Sequence, residues 1–131
     1  MTTTTGINID TDILQKMMEV GYVAAGSGQW MEAAAIFDGV QAARPGSEYP
    51  DIGMAIVLLN AARTDDAIKT LQDSLEEHPE SDLAKSFLGL ALRQAELTTE
   101  SDRLLNEVIE ADRDPKAVSL AISLLNPSDD E

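Results

Sequence analysis

Apolar residues recur along this chain at spacings of three and four, in seven stretches separated by short polar or glycine- and proline-containing breaks. That period is the mark of amphipathic helices; no segment alternates apolar and polar residues over a useful length, so no strand is expected. The first stretch carries Ile13, Leu14, Met17, Met18 and Val20 and runs on to Tyr22 and Ala25, and Gly26-Ser27-Gly28 then turns the chain. An antiparallel partner follows over 29–43, closed by Arg44-Pro45-Gly46. A third helix carries Ile52, Ile56, Val57, Leu58 and Leu59, and a fourth runs through Ile68, Leu71 and Leu75 to a turn at Pro79. Leu83, Phe87, Leu88, Leu90 and Leu92 mark the fifth, Leu104, Leu105, Val108 and Ile109 the sixth. The last, over about 115–125, holds Val118, Leu120, Ile122, Leu124 and Leu125 before Asn126-Pro127 stops it.

Polar residues at the breaks supply start signals. Asp10, Ser47 and Thr64 offer side-chain oxygens to the free amides of a first turn, the fifth helix starts near Ser81-Asp82, and Asp114-Pro115 pairs a cap with a proline at the first helical position. Asp12, Asp65 and Asp66 place negative charge at the positive end of a helix dipole.

The helices come in pairs with a fixed step. Ala33 maps to Ala67 and then Ser101; Phe37 maps to Leu71 and then Leu105; Pro45 maps to Pro79; and Gly21 maps to Ala55 and then Gly89, each 34 residues on. This pattern resembles the tetratricopeptide repeat, a helix–turn–helix unit that stacks on copies of itself, and the likeness runs from about residue 14 to 113. It implies an all-α fold, an α-solenoid of three repeats (about 14–47, 48–81 and 82–113) with a C-terminal capping helix over about 115–125. One domain over 10–126 is expected, between a threonine-rich extension (1–9) and an acidic tail (127–131). The third unit departs most from the pattern: Ser101 replaces alanine, Arg113 stands where the turn proline would be, and the inner turn lacks the glycine of the first unit.

Charge narrows the partners. With 24 acidic and 9 basic residues the formal charge is −15, which repels phosphate backbones and anionic bilayers, so neither nucleic acid nor membrane insertion is expected. There is no cysteine, which excludes disulfides and thiolate metal sites. The first residues, Met1-Thr2-Thr3-Thr4-Thr5-Gly6, show no basic residue and no apolar run of the kind a secretory signal carries, and a cytoplasmic location is the expectation.

Catalysis needs convergent polar groups, and the sequence offers few. The single histidine, His78, precedes a turn proline and reads as a loop residue; one histidine cannot build a histidine-rich metal site. Asp65-Asp66 and Glu76-Glu77 read as helix-end charge, and Gly26-Ser27-Gly28 has no lysine behind it to cradle phosphate. No enzyme activity, cofactor or metal is expected.

The resemblance directs attention to the face of each first helix that lines the concave groove in this family. In this register the groove is lined by Met18, Tyr22 and Ala25, then Ile52, Ile56 and Leu59, then Ser86, Leu90 and Arg93. Family members that clamp a C-terminal carboxylate need lysine, arginine and asparagine there; only Arg93 and nearby Asn60 are of that type, so such a clamp is not expected. An apolar groove favours an apolar or amphipathic helix of a partner protein. Size, repeat number, charge and groove character are similar to those of the tetratricopeptide chaperones of bacterial type III secretion, and Asp114-Pro115-Lys116 with the short helix after it also resembles the needle-chaperone branch. That likeness implies a chaperone that keeps a needle or translocator subunit in the cytosol before export, with a second small chaperone alongside. The alternative is a structural adaptor that stays in an assembly, by self-association or as a homo-oligomer.

Overall fold

The computed structural model describes residues 10–127; the extension over 1–9 and most of the acidic tail lie outside the described residues. The described residues form seven α-helices and no strand: α1 (Thr11–Gly26), α2 (Trp30–Ala43), α3 (Tyr49–Asn60), α4 (Thr64–Glu77), α5 (Asp82–Gln94), α6 (Thr98–Ala111) and α7 (Pro115–Leu125). The fold is the all-α solenoid that the 34-residue step implies.

Three caps form with side-chain hydrogen bonds, two of them expected and the third, Ser81, supplied by the structure. The Asp10 carboxylate accepts from the Asp12 amide at 3.2 Å, Ser81 Oγ from Ala84 at 3.2 Å, and Asp114 from Lys116 at 3.1 Å. Two sites differ from expectation. Thr64 is the first helical residue of α4 and Arg63 occupies the cap, because the Arg63 amide already closes the preceding turn on the Leu58 carbonyl at 2.7 Å. Glu48, rather than Ser47, sits at the cap of α3; Ser47 Oγ instead accepts from the Tyr49 amide at 3.2 Å.

The turn inside each pair is one structure used three times. Gln29, Arg63 and Leu97 each donate a backbone bond to the carbonyl five residues back, at 2.7–2.9 Å. The residue before each of them has a left-handed backbone: Gly28 at φ 81°, Ala62 at 62° and Glu96 at 66°. Glycine takes this conformation at no steric cost, whereas a residue with a Cβ loses about 1 kcal/mol.

Each pair is antiparallel, and successive pairs stack so that α3 rests on α1 and α2, α5 on α3 and α4, and α7 on α5 and α6. Phe37 holds the first junction. Its ring is fully buried, and a Cβ added to Gly21 or Gly53 would come within 2.6 and 2.5 Å of it, so two glycines from successive first helices receive one ring. Tyr22 packs against it with ring centroids 5.6 Å apart and planes tilted by 52°. Leu71 and Leu105, the residues at the same step, are also fully buried, and Leu105 presses on Gly89 as Phe37 does on Gly21. Each such side chain contributes roughly 1.5–3 kcal/mol of burial.

The third repeat closes by polar means. Ser101 Oγ donates to the Gly89 carbonyl at 2.7 Å across the helix crossing where the other repeats place alanine. Arg113 forms a two-pronged contact with Asp82, at 2.9 and 2.8 Å, where the earlier repeats have Pro45 and Pro79. The Asp82 side chain is almost wholly buried, so the guanidinium both neutralises it and ties the start of α5 to the segment leading into α7.

Candidate partner-binding surface

The first helices α1, α3 and α5 lie side by side, and α7 extends the row. The nine residues placed on their open face by register do not share one environment. Ala25, Ile52 and Ser86 have no exposed surface, and Met18 and Leu59 each keep 8%. Tyr22, Ile56, Leu90 and Arg93 are half-buried.

Neighbouring helices account for the difference. Ile52 belongs to the central core with Ala55, Leu59 and Leu88, because α3 has a pair of helices on both sides. Ser86 donates its hydroxyl to the Ala117 carbonyl at 2.8 Å and so faces α7. Ala25 sits at the end of α1, where its carbonyl accepts from Asn60 Nδ2 at 3.0 Å. Ala25, Ile52 and Ser86 therefore build the groove floor in this structure and offer a partner nothing to touch. Arg93 is held by Asp102 at 3.1 Å, and Asn60 is engaged on α1, so the two clamp-type residues already serve the fold.

Tyr22, Ile56 and Leu90 occupy one position of the repeat in three successive helices and remain partly open. Leu124 of α7, also half-buried, falls on the same step and lengthens the row. Sequence reasoning missed Leu124 because it treated α7 as a cap outside the repeat, although a further step of 34 from Leu90 reaches it. Tyr49 was missed too; it is 49% exposed at the start of α3.

One end of this surface is acidic. Glu48, Glu80, Ser81, Asp82, Arg113 and Asp114 line a depression where α3, α5 and α7 begin. Burial, then the charges of Glu48 and Asp114, raises the Tyr49 hydroxyl above its ordinary pKa. Tyr22 is pushed up to about 12, first by burial and then by Tyr49. Both hydroxyls are therefore neutral donors at ordinary pH. The arrangement is a shallow apolar row with a phenol at one end and carboxylates along one edge, suited to an apolar segment with basic residues on one flank. Among the described residues no cluster of histidine, cysteine, aspartate or glutamate could hold a metal ion, and no helix is long and apolar enough to cross a membrane.

Comparison with known families settles the broader assignment. A model of the bacterial type III secretion protein family HrpB1_HrpK matches residues 4–130. The chain belongs to this family. No curated protein matches it. Among solved structures, the Sgt2 TPR domain of Aspergillus fumigatus superposes with a TM-score of 0.66 at 16% identity, covering 96% of this chain and 94% of that one. The type III secretion translocator chaperone SycD of Yersinia enterocolitica superposes with a TM-score of 0.64 at 16% identity, covering 93% of this chain and 100% of that one. At this identity the likeness shows the fold, a tetratricopeptide-like solenoid.

Proposed function

We propose that this type III secretion protein is a chaperone without catalytic activity, which holds an apolar or amphipathic helix of a needle or translocator subunit in the cytosol before export. The observation that carries the reading is the row Tyr22–Ile56–Leu90, extended by Leu124, which is apolar and partly open across four helices of the stack. Burying such a row contributes about 25 cal/mol per Å² before association costs. Tyr22 suits the task, being rigid and amphipathic. The carboxylates near Tyr49 favour a client with basic flanking residues, and a small co-chaperone would cover client surface that this narrow row leaves open.

Ile56→Asp tests the reading. It should remove the co-purifying client while leaving helical circular dichroism near normal, because Ile56 is half-buried. Loss of helicity would assign Ile56 to the core and sink the register.

A structural adaptor is the second reading, and the burial of Ala25, Ile52 and Ser86 favours it. A groove with so closed a floor cannot enfold a client, and shallow docking suits a component that stays in the apparatus. Cell fractionation separates the two. A chaperone is absent from the assembled apparatus and present in the cytosol at equal stoichiometry with its client, whereas an adaptor sediments with the apparatus.

A further inference from the structure

A second apolar surface, unpartnered among the described residues, lies at the start of the stack, away from the row just described. Ile13, Val20 and Val23 are 52%, 57% and 69% exposed, and Ile13 and Val20 border a shallow depression between α1 and α2 together with Lys16, Met17 and Ile36. The repeat itself says what kind of surface this is. One step of 34 carries Lys16 to Pro50 and Ala84, and Val23 to Val57 and Ala91; Pro50, Ala84, Val57 and Ala91 are all buried against the preceding repeat. Val20 likewise maps to Met54 and Leu88, half-buried and 7% exposed. The face is thus a helix-docking seam whose preceding helix pair is missing among the described residues.

We propose that this seam is filled by the same seam of a second copy, with α1 antiparallel to its counterpart across a two-fold axis. The spacing is self-complementary. An antiparallel pair centred near Met18 sets Ile13 opposite Val23 of the other copy, and Lys16 opposite Val20. Charge singles out a second copy over other occupants. Lys16 stands in the stripe where inner repeats place Pro50 and Ala84, and it makes no ion pair among the described residues. Glu19 lies on the same side of α1, one turn along, so the two-fold brings Glu19 of each copy beside Lys16 of the other, twice. The rest of the molecule, at a net charge of −15, repels its own copies, which confines self-association to this face.

The test uses the purified full chain, without client, in light scattering and analytical ultracentrifugation from low to high micromolar concentration. The wild type should be a dimer. Val20→Asp should make it monomeric with unchanged circular dichroism, since Val20 is already exposed. Lys16→Glu should weaken the dimer by about tenfold or more, and Lys16→Glu combined with Glu19→Lys should restore most of it. A wild-type monomer throughout that range overturns the proposal and leaves the seam to another occupant. A dimer unaffected by Val20→Asp overturns it equally. Client capture through Ile56 is read separately, so failure of the chaperone reading would not be mistaken for failure of this one.

Discussion

The first and third repeats reach the same geometry by different chemistry. In the first, Gly28 supplies the left-handed turn, Ala33 allows the close crossing, Phe37 fills the junction and Pro45 ends the unit. In the third those places are taken by Glu96, Ser101, Leu105 and Arg113. The turn is kept despite a Cβ, the crossing is kept by a hydroxyl that finds a carbonyl, and the proline is replaced by an ion pair on a buried carboxylate. A repeat is therefore specified by its contacts more than by its residues. Apolar packing fills the junction of both units, and directional polar bonds supplement it in the last.

The largest expected effect lies in the first unit. Phe37→Ala should destabilise the chain by about 3–5 kcal/mol in urea unfolding, since the ring fills the space between two glycines. Leu105→Ala, its counterpart, should cost about 2–4 kcal/mol; equal losses would mean that the two junctions are packed alike. Arg113→Ala should lower the melting temperature by a smaller amount, because Asp82 loses its two-pronged partner. Arg113→Lys should recover only part of it, as one ammonium cannot make both bonds. Glu96→Gly should stabilise by about 1 kcal/mol, and Ala62→Gly by a similar amount, by relieving the left-handed residues. No gain at either site would contradict the turn assignment.

A last effect is confined to high pH. Tyr22 is neutral in the folded chain up to about 12, while an unfolded tyrosine ionises near its ordinary value of 10. Its contribution is fully present below pH 10 and is lost as pH rises towards 12, because only the unfolded chain releases the proton in that window. Tyr22→Phe should flatten part of that fall in melts taken between pH 9 and 12.

Much of the fold was legible because helices and their pairing leave local traces. The three-and-four spacing marked all seven described helices, two of which, read as 29–43 and 115–125, match α2 and α7 within a residue, and the step from Ala33 to Ala67 to Ser101 fixed the stacking. The candidate face was legible only in part. Register assigns Tyr22, Ile56 and Leu90 one repeat position, and all three are half-buried, but burial is set by neighbours remote in sequence. Ile52 is sealed by helices on both sides and Ser86 by α7, while the equivalent Met18 retains a little exposure at the end of the stack. The exposed seam at Val20 and Val23 was invisible for the converse reason. Those residues have the composition of a core, and only the absence of a preceding pair among the described residues leaves them open.

The most direct test of the central claim is quantitative mass spectrometry of proteins co-purifying with the tagged chain from its own cells, run in parallel for wild type, Ile56→Asp and Val20→Asp. The expected result is one small secretion subunit at equal stoichiometry with wild type and with Val20→Asp, depleted at least about tenfold with a folded Ile56→Asp. Retention of the same subunit by a folded Ile56→Asp would place the binding surface elsewhere on the molecule and contradict the row as the client site.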